Sequence, residues 1–252
     1  MGAFFGPIWP RDASSASVLA LVRCSDGERY RHRRVVDLGT SGSYPRGVWR
    51  VFLLLVHAVT AVGADPVGTP ASRTALAGCE QAGTKTGDAR AQAYRDSLAR
   101  ADAAISADDG DGLAHFAAFC ALGGLMKSTG VSFAMAGQLR RLRREVDRAL
   151  ELAPEFADAL AGKGSLLLHV PRLLGGDPAE AERLLRQALA IDPDYITPRL
   201  ALVDALRARG ALDEARVEAM QALVVAQRKG SADSARAARA ALATLGPGPE
   251  NP

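Results

Sequence analysis

Beyond residue 64 the chain offers two histidines, His115 and His169, and two cysteines, Cys79 and Cys120, as the side chains best suited to nucleophilic, acid–base or metal chemistry. Their spacing favours none of these. No HxxxH, CxxC, Walker-type loop or GxSxG elbow occurs. Two imidazoles in separate segments are a poor start on a zinc site, which needs three or four converging ligands. A hydrolytic pairing of His169 with Asp204 is the one catalytic reading left open. Gly175-Gly176-Asp177-Pro178 leads into an expected helix N-terminus, where backbone N–H groups can hold an anion. No lysine follows, and a structural turn accounts for the same residues. We therefore expect no catalytic residue, no metal and no cofactor.

The elements that would position any site are helical. The chain is rich in Ala, Leu and Arg, with only 5% aromatics and few of the residues that favour strands. Its net charge of +3 misleads, because residues 1–64 hold eight of the 31 Lys and Arg but four of the 28 Asp and Glu. The remainder has 23 basic and 24 acidic residues, a net charge of −1. That gives no electrostatic case for binding nucleic acid.

Val51 to Gly63 (VFLLLVHAVTAVG) has the length of a signal-peptide apolar region, is preceded by Arg46 and Arg50, and is short for a membrane span. It ends in Val62-Gly63-Ala64, small residues where a signal peptidase reads, so cleavage after Ala64 is expected. An uncleaved anchor and an ordinary core helix are the other readings. Residues 1–47 show no sustained period and are expected to be disordered or to lie upstream of a translation start near Val48. The protein is thus expected to be exported, meeting the membrane only transiently through its signal peptide. Leu76-Ala77-Gly78-Cys79 has lipobox residues, but Asp65, Pro66, Pro70 and Arg73 separate it from the apolar run, which argues against lipidation. In an oxidising compartment Cys79 and Cys120 can form a bridge, and two buried thiols are an equal alternative.

Internal repetition carries the fold. A shift of 34 residues sets Gly176–Leu189 (GDPAEAERLLRQAL) over Gly210–Leu223 (GALDEARVEAMQAL) with Gly, Glu, Ala, Gln, Ala and Leu in register. A shift of 39 sets Ala149–Phe156 over Ala188–Tyr195, each a helix end before Pro154 or Pro193. The extra five residues fall in His169–Pro178. There Pro171 should end a helix, Gly175 and Gly176 permit positive φ, Asp177 suits an N-cap, Pro178 the first helical position, and Glu180 a capping box. Leu113, Phe116, Phe119 and Leu122 form the core face of an earlier unit, followed by an apparent insertion around Gly123–Ser132. Ala91–Ile105 has helical spacing and should cap the array at its N-terminal side.

The small residues at helix crossings, the large apolar residues between them and the closing prolines resemble the tetratricopeptide repeat superfamily. In one unit these are Leu160, Gly164, Leu167, Ala181, Leu185, Ala188 and Pro193. In the next they are Arg199, Leu202, Val203, Leu206, Ala215, Ala219, Ala222 and Gln227, with Val203 for the glycine and Gln227 for the proline. The resemblance implies an all-α fold, a right-handed superhelical solenoid of antiparallel helix pairs, over 111–230 as units of about 112–154, 155–193 and 194–228. It would be flanked by a linker and capping helix over 65–110, a capping helix over 231–245 and a disordered tail over 246–252. The insertion, Pro171 followed by Leu174-Gly175-Gly176-Asp177, is similar to that of exported bacterial repeat proteins, including the T component associated with periplasmic TRAP transporters, and of eukaryotic regulators of microtubule dynamics.

In that family the inner face of each first helix lines a concave groove. The resemblance places Phe116, Cys120, Ser165, His169, Leu200, Asp204 and Arg207 on it. The Lys/Asn pair with which some relatives clamp a C-terminal carboxylate is missing, since Phe116 and Cys120, Ala161 and Ser165, and Leu200 and Asp204 stand in its place. Arg140, Arg141, Arg143, Arg144 and Arg148 alternate with Glu145, Asp147 and Glu151 and read as a solvated face or as a patch for an acidic partner. The expectation is a non-enzymatic scaffold binding a protein or peptide partner, no nucleic acid, in the cell envelope, most simply the periplasm. The alternative is a ligand-binding auxiliary subunit of a periplasmic solute transport system.

Overall fold

Several helices here start where a short polar side chain receives free N–H groups, and two stop just before a residue that precedes proline. The computed structural model describes residues 68–129 and 135–246. The extension at 1–47, the signal segment at 48–64 and the tail at 247–252 lie outside the described residues. Among those described all regular structure is helical: α1 (Pro70–Thr84), α2 (Gly87–Ala107), α3 (Gly112–Thr129), α4 (Met135–Leu152), α5 (Ala157–His169), a 3₁₀ turn (Arg172–Leu174), α6 (Pro178–Ile191), α7 (Ile196–Ala208), α8 (Leu212–Arg228) and α9 (Ala232–Thr244). Thr69 caps α1 by accepting from Ser72 N at 3.2 Å, with Pro70 at the first position, which has no N–H to lose. Asp111 Oδ1 caps α3, accepting from Leu113 N and Ala114 N at 3.0 and 3.1 Å. α4 and α6 end just before the residues that precede Pro154 and Pro193, whose rings push the preceding residue out of helical geometry.

Successive helices pack as antiparallel hairpins, α1 on α2, α3 on α4, α5 on α6 and α7 on α8, and each hairpin lies against the next. The solenoid is all-α and tetratricopeptide-like, closed at one end by α9, which packs on α7 and α8. Neither helix of such a pair can shield its apolar side alone, so the core is continuous from hairpin to hairpin. The 34-residue offset appears as equivalent burial. Ala181 and Ala215, and likewise Ala188 and Ala222, are fully buried where a second helix crosses its first. At Gly164 a Cβ would meet Leu185 Cγ at 2.9 Å and Ala181 O at 3.1 Å, so the absence of a side chain is what lets α5 and α6 approach.

Residues 65–110 hold more than the single capping helix expected there. α1 and α2 form a full hairpin, and α1 also packs along α3. The extra residues expected around Gly123–Ser132 continue the helix as far as Thr129. α3 runs on through Gly123 and Gly124 because Tyr94 of α2 fills the place of a side chain at Gly124, where a Cβ would sit 2.2 Å from Tyr94 Cε1. The part of that expected insertion at 130–134 lies outside the described residues.

The loop between α5 and α6 is built from its own backbone. Gly175 adopts φ +85°, as only glycine does readily. Gly176 serves a different need, close approach: a Cβ there would stand 1.7 Å from Val170 O and 3.1 Å from Leu167 O, and Leu167 O itself accepts from Asp177 N at 3.1 Å. Asp177 caps α6 through Ala179 N and Glu180 N. The reciprocal half of the capping box does not form, because Glu180 bonds to Arg183 Nε at 2.7 Å instead. A Gly176→Ala substitution is therefore expected to cost about 3 kcal/mol, the upper part of the range for overpacking a close contact. Urea unfolding checks this, and a change of under about 0.5 kcal/mol would show that the loop yields freely.

Candidate partner-binding groove

The first helices of the hairpins, α3, α5 and α7, were expected to present seven residues along one concave face. Burial separates them into two groups. Phe116 and Cys120 on α3 are 3% and 1% exposed. Phe116 packs edge-on against Phe156 at 4.8 Å and beside Phe119 at 5.9 Å, and Cys120 is bonded to Cys79 of α1. These two residues are corrected from groove to core: Cys120 is covered by α1, to which it is bonded, and Phe116 is covered by Phe156 and α5. The bridge also answers the question left by spacing, and the Cys79 thiol of the lipobox-like sequence is consumed in it. Ser165 is fully buried and Leu200 nearly so, as part of the packing between α5 and α7 and beneath α8.

His169, Asp204 and Arg207 remain at the surface, His169 and Asp204 partly buried and Arg207 exposed. His169 ends α5, and its Nδ1–H donates to Ser165 O at 2.7 Å, one helical turn back. The carbonyl can only accept, which fixes that nitrogen as the donor and turns Nε2 away from α5. Asp204 lies on α7, and Arg207 sits one turn on, half exposed, with Nη2 3.6 Å from Asp204 Oδ1. Burial raises the Asp204 carboxyl above the ordinary carboxylate range, and the charges of Arg207 and then His169 only partly pull it back. A carboxylate desolvated and loosely paired in this way gains from an approaching cation or N–H donor.

His115 is no part of this surface. It is buried at 4% exposure, with Nδ1 2.8 Å from Glu145 Oε2 on α4 and Nε2 3.2 Å from Asp109 O. Arg141 joins the same cluster, pairing with Asp102 of α2 and reaching Glu145 Oε1 at 3.3 Å. Arg148 pairs with Asp109 at 2.9 Å, and Arg143 Nη2 donates to Leu174 O. Much of the arginine run on α4 thus ties α4 to α2 and to the α5–α6 loop. Charge alternation in the sequence signals ion pairing, but nothing in it names partners 39 residues away such as Asp102 and Asp109.

A concavity of about 340 Å³ lies between the α6–α7 turn and α8. Arg199, 8% exposed, forms its floor and is held by Glu218 Oε2 at 2.5 Å, by Gln221 and by Pro193 O at 2.6 Å. Sequence reasoning missed this surface because the repeat spacing identifies what packs inside a hairpin and not what is left uncovered outside it. No curated protein matches the chain. Residues 172–245, from the 3₁₀ turn to the end of α9, match the Tetratricopeptide repeat family, in agreement with the stacked helical hairpins they form.

Proposed function

We propose that the protein is a non-enzymatic scaffold of the cell envelope that holds a protein or peptide partner against the His169–Asp204–Arg207 surface. The observation that carries this reading is the Asp204 carboxyl, partly desolvated and only loosely paired at 3.6 Å, on a tetratricopeptide-like array. The Asp204 side chain is 31% exposed, and a partner's lysine, arginine or N-terminal amine would pair with it more fully than Arg207 does. Export is supported by the Cys79–Cys120 bridge, since such bridges persist in oxidising compartments and are rare in reducing ones. Together with the apolar Val51–Gly63 run, it favours the periplasm.

Affinity capture from a periplasmic extract tests the reading. An Asp204→Asn/Arg207→Glu variant should recover at least about tenfold less partner than the native protein, as expected for the loss of a charged contact at a binding centre. Equal recovery by both would end it. Recovery of the native chain from the cytosol with Cys79 and Cys120 reduced would end the envelope assignment. A ligand-binding auxiliary subunit of a solute transporter is the second reading, favoured by the structured Leu174-Gly175-Gly176-Asp177 loop. It predicts a small molecule, rather than a protein, lost with Asp204.

A further inference from the structure

The outer face of α8 carries an apolar stripe where the second helix of a solenoid hairpin ordinarily meets water. Val217, Met220 and Val224 are 47%, 47% and 59% exposed and border the concavity floored by Arg199. Asp213 and Arg228 extend the stripe at its two ends. The successive steps of four, three, four and four residues keep all five on one side of a 3.6-residue helix. From Asp213 to Arg228 the stripe is about 22 Å long.

Its order is self-complementary. About a midpoint between Met220 and Gln221, Asp213 mirrors Arg228, Val217 mirrors Val224, and Met220 mirrors Gln221. Laid antiparallel on a second α8, each residue therefore meets one of suitable chemistry: acid on base at both ends, valine on valine between them, methionine on glutamine at the centre. A two-fold interface requires this property, that when residue i meets j, j also meets i.

The end charges are available. Asp213 is 87% exposed, with Arg216 at 3.8 Å as an ion-pair neighbour, and Arg216 Nη2 also donates to Leu245 O and Gly246 O at 3.0 and 2.9 Å. Arg228 is 58% exposed beside Asp194, and Lys229 donates to Asp194 O at 2.9 Å, so that end holds two cations against one carboxylate. The floor of the concavity is rigid, because Arg199 is bonded on three sides by Glu218, Gln221 and Pro193. A partner's Met220, with its flexible thioether chain, suits such a recess.

We infer that this face binds a second copy of the chain through an antiparallel α8–α8 contact, giving a two-fold dimer. One helix pair is a small interface, so the dimer is concentration-dependent. Sedimentation velocity on the full mature chain tests it, with a charge exchange as the discriminating variant. Asp213→Arg and Arg228→Asp should each weaken dimerisation at least about tenfold, because the symmetry applies each change twice. Combining the two should restore it to within a few-fold of the native protein. Val224→Glu should give a monomer with an unchanged circular dichroism melt, since that side chain is already more than half in water. A native chain that is monomeric at every concentration reached would overturn the inference. So would a dimer indifferent to these substitutions, or a charge exchange that fails to rescue. Val224→Glu instead abolishing capture of a different protein by a monomeric chain would overturn it in favour of that partner.

Discussion

A Cys79→Ala/Cys120→Ala variant is expected to lose about 4 kcal/mol of stability, the largest effect we anticipate from any change in the array. The bridge joins residues 41 positions apart, and restricting a loop of that size in the unfolded chain is worth about 4 kcal/mol when the folded geometry is relaxed. The packing around it explains why the loss should be local. α1 buries Ser72, Ala75, Leu76, Cys79 and Ala82, and among these only Leu76 is a large apolar side chain. Ser97 of α2 donates to Ala75 O at 2.7 Å, which fixes the height of α1 on α2 but adds little apolar area. Without the bridge, α1 should open before the hairpins from α3 onward, as expected where each unit contacts only its neighbours. Hydrogen exchange with mass spectrometry checks this. Protection should fall across 70–84 in the variant and in the reduced native chain, while 157–208 keeps its protection. Equal unfolding midpoints with and without the bridge would contradict the expectation.

Asp111→Ala should cost about 3 kcal/mol, because one 6%-exposed carboxylate serves two helix starts. Oδ1 caps α3, and Oδ2 accepts from Thr69 N at 3.0 Å and Thr69 Oγ1 at 2.8 Å, at the head of α1. Burial alone would raise the pKa of this acid. Hydrogen bonds from the Thr69 backbone, the Ser72 and Thr69 hydroxyls and the Ala114 backbone outweigh it, and the pKa lies below the ordinary carboxylate value. A folded-state pKa below the unfolded one means that Asp111 contributes its full stabilisation above about pH 3.9 and loses it as pH falls through the folded value. Acid titration of the unfolding free energy should therefore be shallower below pH 4 in Asp111→Asn than in the native chain. Parallel curves would show that the carboxylate charge plays no part in holding α1 and α3 together.

The fold was most legible where the repeat imprints small residues at crossings. Ala181 with Ala215 and Ala188 with Ala222 are visible as a 34-residue offset, and Gly164 as the point of closest approach. Asp177 and Pro178 were legible as a helix start because capping chemistry is local. α1 was not, because a helix buried through alanine, serine and cysteine shows little hydrophobic contrast, although Thr69-Pro70 carries the cap and the first-position proline that mark its beginning. That one omission produced the error at Cys120, whereas Phe116, already on the expected core face, is closed off by Phe156. With α1 unseen, the inner side of α3 looks free for a partner. The His115–Glu145 contact and the uncovered stripe on α8 depend on which surfaces meet between helices, and a periodic pattern within one helix does not encode that.

The position of α1 also bears on where the array can take hold of anything. The Cys79–Cys120 crosslink fastens α1 along α3, and α9 lies over α7 and α8 at the other end, so both terminal hairpins are already occupied by neighbours from the same chain. On the proposed reading, a visitor's contacts therefore fall to the middle of the array.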